Sequence, residues 1–142
     1  MVFRQRYPGL AASQLAEVHE IECPARDGLT IRAYLTLPHG LSPEFADKLP
    51  SVVLPHGGPY ARDFRRFDWM AQILADEGYG VLQMNFRGSS GYGVAFEKAG
   101  RKQWSDVMLN DINDATRWLV DNALAEPSRI CVAGKFLAVT PR

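Results

Sequence analysis

The sequence predicts an α/β protein: a mostly parallel sheet with an antiparallel N-terminal strand pair, flanked by helices. Three observations predict it. First, short apolar runs recur at 51–55 ("SVVLP"), 79–86 ("YGVLQMNF") and 129–133 ("RICVA"), with the composition of strands covered on both faces. Second, stretches of helical period lie between them, so strand and helix alternate after residue 50, which implies right-handed crossovers and parallel pairing. Third, the pattern before residue 50 has strand character and a turn signal but no helical period, as expected of an antiparallel extension at the sheet edge.

Each element follows from its residues. Residues 1–16 are mixed and punctuated by Pro and Gly, and read as a linker-like N-terminal segment; residues 17–142 read as the domain. "VHEIECPA" at 18–25 sets Val18 and Ile21 among polar residues, as a strand does, and Asp27-Gly28 supplies a hairpin turn. In "LTIRAYLTLP", Leu29, Ile31, Ala33, Leu35 and Leu37 alternate with other residues, the signature of a half-buried antiparallel strand. "HGLSPEFADKLP" is a surface loop. In "FDWMAQILADEG", Phe67, Met70, Ala71 and Leu74 share a helical face and Gly78 supplies a stop. Met108, Ile112, Ala115 and Leu119 are spaced by four, three and four, the clearest helix in the chain, with Ser105 or Asp106 available as its cap.

Bulk properties narrow the function classes. The 142 residues fit one domain, and 46% hydrophobic with 23% charged residues is ordinary for a globular protein. Sixteen basic residues balance sixteen acidic ones, so charge gives no reason to expect nucleic acid or a membrane surface as partner. Cys23 and Cys131 lie in apolar contexts and read as buried core residues in a reducing compartment. Two cysteines and three scattered histidines make a poor zinc site, so no metal and no cofactor are expected. The start lacks the apolar core of a secretory signal, and no run approaches the ~18 apolar residues of a membrane span. A cytoplasmic location is the resulting expectation.

In sheets of this kind, chemistry gathers at the carboxyl ends of the strands. "LPHGGPYARD" is the most informative such end: Gly57 and Gly58 allow a sharp turn whose N–H groups can face a cleft and stabilise an oxyanion. On spacing alone, an ordinary tight turn holding a histidine is the plainer reading. "FRGSSGYG" is neither a dinucleotide fingerprint nor a P-loop, because Gly88, Gly91 and Gly93 fall as G-x-x-G-x-G and no Gly-Lys-Ser/Thr follows. Ser90 fails the nucleophile-elbow pattern, with Tyr92 where a glycine belongs. The stretch reads as a loop crossing the top of the sheet, in which Arg87 bonds loop carbonyls or a neighbouring carboxylate. His56 reads as a residue that orients its loop, since a general base needs a nucleophile within reach. His19 and His39 read as solvent-facing.

Taken together, "SVVLPHGGPYARD", "FDWMAQILADEGYGVLQMNFRGSSGYG", "QWSDVMLNDINDATRWLVDN" and "PSRICVAG" resemble, in order and spacing, the α/β-hydrolase domain of the prolyl oligopeptidase family, nearest to its acylaminoacyl-peptidase and dipeptidyl-peptidase branches. The resemblance covers roughly residues 17–134. It makes the expected fold a partial α/β-hydrolase and "YPGLAASQLAEVHEIECPARDGL" similar to the segment joining that domain to an upstream propeller. It implies a serine peptidase acting on short peptides. By the resemblance, His56, Gly57 and Gly58 line the oxyanion hole, with the Gly58 N–H toward the tetrahedral intermediate; Arg87 and Gly88 are structural loop candidates read from the loop itself. It also places a Gly-x-Ser-x-Gly-Gly turn directly after the strand matched by "RICVAG". Here Gly134 is followed by Lys135 and Phe136, and no serine occurs after Ser128. The family's aspartate and histidine fall beyond residue 142. The expectation is a domain truncated before its nucleophile and inactive alone, arising from a shifted reading frame or as a selected short protein. Two other readings remain: a non-catalytic binding or interaction module of α/β-hydrolase type, and a small nucleotide-binding α/β protein, against which the failed fingerprints argue. Self-association through the strand at 129–133 is expected in each case.

Overall fold

The computed structural model describes residues 11–58, 60–103 and 106–134. The first ten residues of the linker-like segment, Pro59, the proposed cap Ser105 and the tail from Lys135 lie outside them. The described chain forms β1 (Val18–Pro24), β2 (Thr30–Thr36), β3 (Leu49–Val53), α1 (Trp69–Asp76), β4 (Gly80–Asn85), α2 (Val94–Ala99), α3 (Val107–Asp121) and β5 (Ala125–Val132). The sheet order is β1-β2-β4-β3-β5. β1 and β2 form an antiparallel hairpin, β2 runs antiparallel to β4, and β3 is parallel to both β4 and β5. This is the mixed sheet the sequence predicts, with the antiparallel pair at one edge.

Period two along the strands sorts side chains onto two faces. Ile31, Ala33 and Leu35 of β2, Val53 of β3 and Leu82 and Met84 of β4 share a core with Met108, Ile112, Ala115 and Leu119 of α3. On the other face Val52, Leu54 and Val81 meet Ala71 of α1. α3 therefore presents the stripe its spacing predicts. Asp106 sits at its cap position but makes no capping hydrogen bond; its Oδ1 accepts from the Asn110 side chain instead (3.2 Å).

Four expectations are corrected. Only the first half of β2 is half-buried, because β2 lies between β1 and β4 and its Tyr34 and Thr36 are covered too. α1 buries Ala71 and Ala75, with Leu74 partly buried, whereas Met70 is 41% exposed: the helix presses small residues against the sheet and turns Met70 outward. Cys131 is exposed rather than core, because β5 is the outermost strand of the described sheet. His19 is only half-buried, with its Nε2 shielded from solvent, while His39 is exposed as expected. The short helix α2, inside what reads as loop, is an addition.

Candidate functional site: paired loops at the strand ends

Parallel β3 and β4 end side by side, so the loops that follow them, 54–66 and 86–93, meet above the sheet. Contacts join these loops, and the first of them to the end of β4, in sequence order. His56 Nε2 lies 2.7 Å from Ser89 Oγ. The Ser90 N–H donates to the Ala61 carbonyl (3.2 Å). The Arg62 guanidinium stacks between the rings of Phe64 and Tyr92, 4.5 and 4.7 Å from their centroids. Finally, the Asp63 N–H donates to Asn85 Oδ1 (2.7 Å), while Asn85 Nδ2 donates to the Asp63 carbonyl (3.1 Å) and to Tyr92 Oη (2.7 Å). Asn85 is fully buried, so each of these bonds satisfies a group that water cannot reach.

Within this frame sits the His-Gly-Gly turn. Gly58 has φ +79°, in the left-handed region that favours glycine, although a Cβ there would meet open space. The constraint at Gly58 is conformational, not steric. The N–H groups of Gly57 and Gly58 donate to no group among the described residues. Two half-exposed donors on a constrained turn are what an oxyanion hole requires. His56 stacks on Phe86, with ring centroids 4.4 Å apart. Burial holds its imidazole below the ordinary histidine pKa, against the opposing effect of the Gly57 and Gly58 backbone.

The His56–Ser89 contact has the distance of a catalytic dyad but the opposite proton arrangement. Ser89 Oγ donates its single proton to the Phe86 carbonyl at 2.6 Å. Toward His56 it offers only lone pairs, so neutral His56 must donate from Nε2. Ser89 is also wholly buried. It is therefore not activated as a nucleophile.

Below the turn, Arg87 holds the second loop. Its Nε donates to both oxygens of Asp111 (3.0 and 2.9 Å), its Nη2 to Asp111 Oδ1 (2.7 Å), and its backbone N–H to Asp111 Oδ2 (2.9 Å). Its Nη1 and Nη2 reach Asp27 in the β1–β2 turn (2.7 and 3.1 Å). These bonds, to Asp111 first, raise the Arg87 pKa further above its ordinary value. The Arg87 guanidinium in turn lowers Asp27 to about 2. Arg26 reinforces the same corner by pairing with Asp114 of α3 at 2.8 Å. The carboxylate partner expected for Arg87 is thus two carboxylates. Gly88 lies in the loop as read, and its N–H donates to the Phe96 carbonyl of α2 (3.0 Å).

Sequence reasoning singles out His56, Gly57, Gly58, Arg87 and Gly88, which the structure places at these two loops, but not their neighbours Ser89, Asn85 and Asp111. Their partners are separated by 33, 22 and 24 residues, so no local spacing links them. One further contact belongs to the site. The Ala133 N–H donates to the Val53 carbonyl (2.9 Å), and Gly134 approaches so closely that a Cβ on it would lie 2.7 Å from the Pro55 carbonyl oxygen. The chain thus leaves β5 beside the His-Gly-Gly turn. Among the described residues no His, Cys, Asp and Glu cluster could hold a metal ion, and no helix is long and apolar enough to cross a membrane.

Known proteins resemble this chain in sequence and fold. The sequence model of the Prolyl oligopeptidase family matches residues 65–135. Dipeptidyl aminopeptidase BIII of Pseudoxanthomonas mexicana is 37% identical over 131 residues, 89% of this chain and 19% of that protein. Dipeptidyl peptidase family member 6 of Caenorhabditis elegans is 35% identical, over 94% of this chain and 20% of its own length. A puromycin-hydrolyzing peptidase of Mycobacterium tuberculosis superposes with a TM-score of 0.81 at 30% identity, covering 90% of this chain and 20% of that one. The acylaminoacyl peptidase of Pyrococcus horikoshii superposes with a TM-score of 0.71 at 26% identity, covering 84% of this chain and 19% of that one. The chain spans about a fifth of the length of these relatives. Half of it matches the family model, nearly all of it aligns with peptidases above 30% identity, and its fold superposes on a solved peptidase: this chain belongs to the prolyl oligopeptidase family.

Proposed function

We propose that these 142 residues form the oxyanion side of a serine-peptidase active site acting on short peptides, with His56, Gly57 and Gly58 lining the hole. The observation that carries the reading is the approach of Gly134 to Pro55, which brings the exit of β5 beside two glycine N–H groups that donate to no described group. A nucleophile emerging there would place a developing oxyanion within reach of Gly58, where one good donor is worth about 3–4 kcal/mol of transition-state stabilisation. Acyl transfer also needs a serine, a base and an acid. The 142 residues hold no serine after Ser128, and Ser89 is buried with its proton engaged, so the polypeptide by itself is expected to be inactive. The exposed β5 edge is expected to make it self-associate.

The test has two arms. The isolated chain should neither hydrolyse peptide esters nor take up a fluorophosphonate probe; labelling of Ser89 or Ser90 would defeat the assignment. In the second arm, residues 17–134 replace the corresponding stretch of dipeptidyl aminopeptidase BIII. That chimera should cleave that enzyme's peptide substrates, and Gly58→Ala should lower its kcat about a hundredfold with little change in KM, because a Cβ at positive φ displaces the donor turn. A folded chimera without turnover would leave a non-catalytic binding module as the better account.

A further inference from the structure

We propose that Ser89 is a positioning residue for the His-Gly-Gly turn: it holds His56 as the tautomer with its proton on Nε2 and fixes the ring plane from which Gly57 and Gly58 depart. The proposal rests on the oxyanion reading only for its catalytic consequence; the positioning itself stands on the described contacts. Ser89 Oγ has one proton, and the Phe86 carbonyl takes it at 2.6 Å. Its lone pairs then accept from His56 Nε2 at 2.7 Å. Phe86 acts twice, since its ring also backs the imidazole at 4.4 Å with planes 19° apart. The ring is thereby held along one edge and across one face. His56 Nδ1 is left buried with no hydrogen-bond partner among the described residues, while the Gly57 and Gly58 backbone acts on the imidazole against the effect of its burial.

The loop that carries Ser89 is itself immobilised from below. Arg87, two residues earlier, is bound through its backbone N–H and its guanidinium to the fully buried Asp111. The order of support runs from α3, through Asp111 and Arg87, to Ser89, and from Ser89 to His56 and the donor turn. The far end of the turn's loop is held separately, at Asp63 by Asn85. Loss of the Ser89 hydroxyl should therefore free the histidine end and leave the rest of the loop in place.

The experiment uses the 142-residue chain with 15N-labelled histidine. The His56 signals are assigned by their loss in His56→Asn. At neutral pH, His56 should show a protonated Nε2, a bare Nδ1 and slow solvent exchange of the Nε2 proton. Ser89→Ala should speed that exchange by about tenfold, the scale expected from losing one hydrogen bond. Ser89→Thr, which keeps the hydroxyl, should restore slow exchange. A proton found on Nδ1 overturns the proposal. So does a natively folded Ser89→Ala chain whose Nε2 proton exchanges as slowly as in the parent. Should Ser89→Ala fail to fold, the parent's tautomer and the Ser89→Thr exchange rate decide the matter by the same criteria. In the chimera, Ser89→Ala should lower kcat with KM little changed, and Ser89→Thr should recover it. An inactive chimera alongside the predicted tautomer defeats the peptidase reading and not the positioning; an active chimera with the proton on Nδ1 does the reverse.

Discussion

Among the described residues Arg87 and Asp111 form the most buried ion pair, with side chains 9% and 0% exposed. Asp27 joins the same guanidinium from a side chain that is 50% exposed. Burial decides what each carboxylate contributes. Removing Asp111 leaves a buried cation short of its main partner, so Asp111→Ala should cost about 3–5 kcal/mol in urea unfolding. Asp27→Ala should cost no more than about 1 kcal/mol, because water and salt already screen that pair. Equal costs would show that the network is shared evenly, against this ranking. Two carboxylates also carry opposite pH signatures. Asp27 is lowered from 3.8 to about 2, so its contribution is complete above about pH 4 and is lost as pH falls toward 2. Asp63 is raised from 3.8 to about 6, by burial first and by Asp68 second, against Arg66. Its neutral form is favoured in the folded chain, so the contribution is complete below about pH 4 and is lost as pH rises through 6. Urea midpoints between pH 4 and 7 should therefore fall with rising pH through this group, and Asp63→Asn should flatten that slope. An unchanged slope in the variant would remove Asp63 from the account.

At the scale of elements, legibility follows period. The stripe Met108, Ile112, Ala115, Leu119 is buried in the structure as its spacing implies, because one face of α3 meets one face of the sheet. The stop of α1 was equally plain, and the N–H groups of Gly78 and Tyr79 close it by donating to Ala75 and Leu74. Its buried face was harder to read. Spacing puts Met70 on one face with Ala71 and Leu74, whereas the helix turns Met70 outward and buries Ala71 and Ala75, with Leu74 partly covered beside them. The strand read at 129–133 overlaps the last four residues of a longer β5, which begins at Ala125, ends at Val132 and breaks register between the Leu49–Ala125 and Ser51–Ile130 pairs. Pro50 and Pro127 lie in that gap and have no N–H for a regular ladder, a disruption that composition alone does not locate. The close helix–sheet contact can be tested directly. Ala75→Leu should destabilise by about 1–3 kcal/mol through overpacking. Met70→Ala, on the outer face, should stay within about 0.5 kcal/mol. A tolerated leucine at 75 would mean that the helix can lift from the sheet.

Over the whole molecule, the candidate site was legible only where its residues follow a strand directly. His56, Gly57 and Gly58 announce themselves after "SVVLP", whereas the groups that hold them come from a second loop and from α3, and are joined by folding alone. The edge of the sheet raises a different issue. β5 pairs with β3 on one side, and on the other presents backbone N–H and C=O groups with no strand among the described residues. Val132 is 53% exposed and Cys131 is exposed beside it, while Ile130 is only partly buried. An open edge of this kind, carrying apolar side chains and no lysine over 130–132, is a template for a second strand. Full burial of a valine contributes about 1.5–3 kcal/mol, a sizeable part of a domain stability of about 5–15 kcal/mol, so pairing two edges is favourable. The chain should therefore dimerise or form larger species with rising concentration, as read by light scattering. Amides on β5 should become protected from hydrogen exchange in step with association. Val132→Lys should oppose both changes, since a charge on the edge resists a second strand. A monodisperse monomer across the concentration series, with β5 amides already protected, would mean that the edge is closed from within the chain and that this surface is not where copies meet.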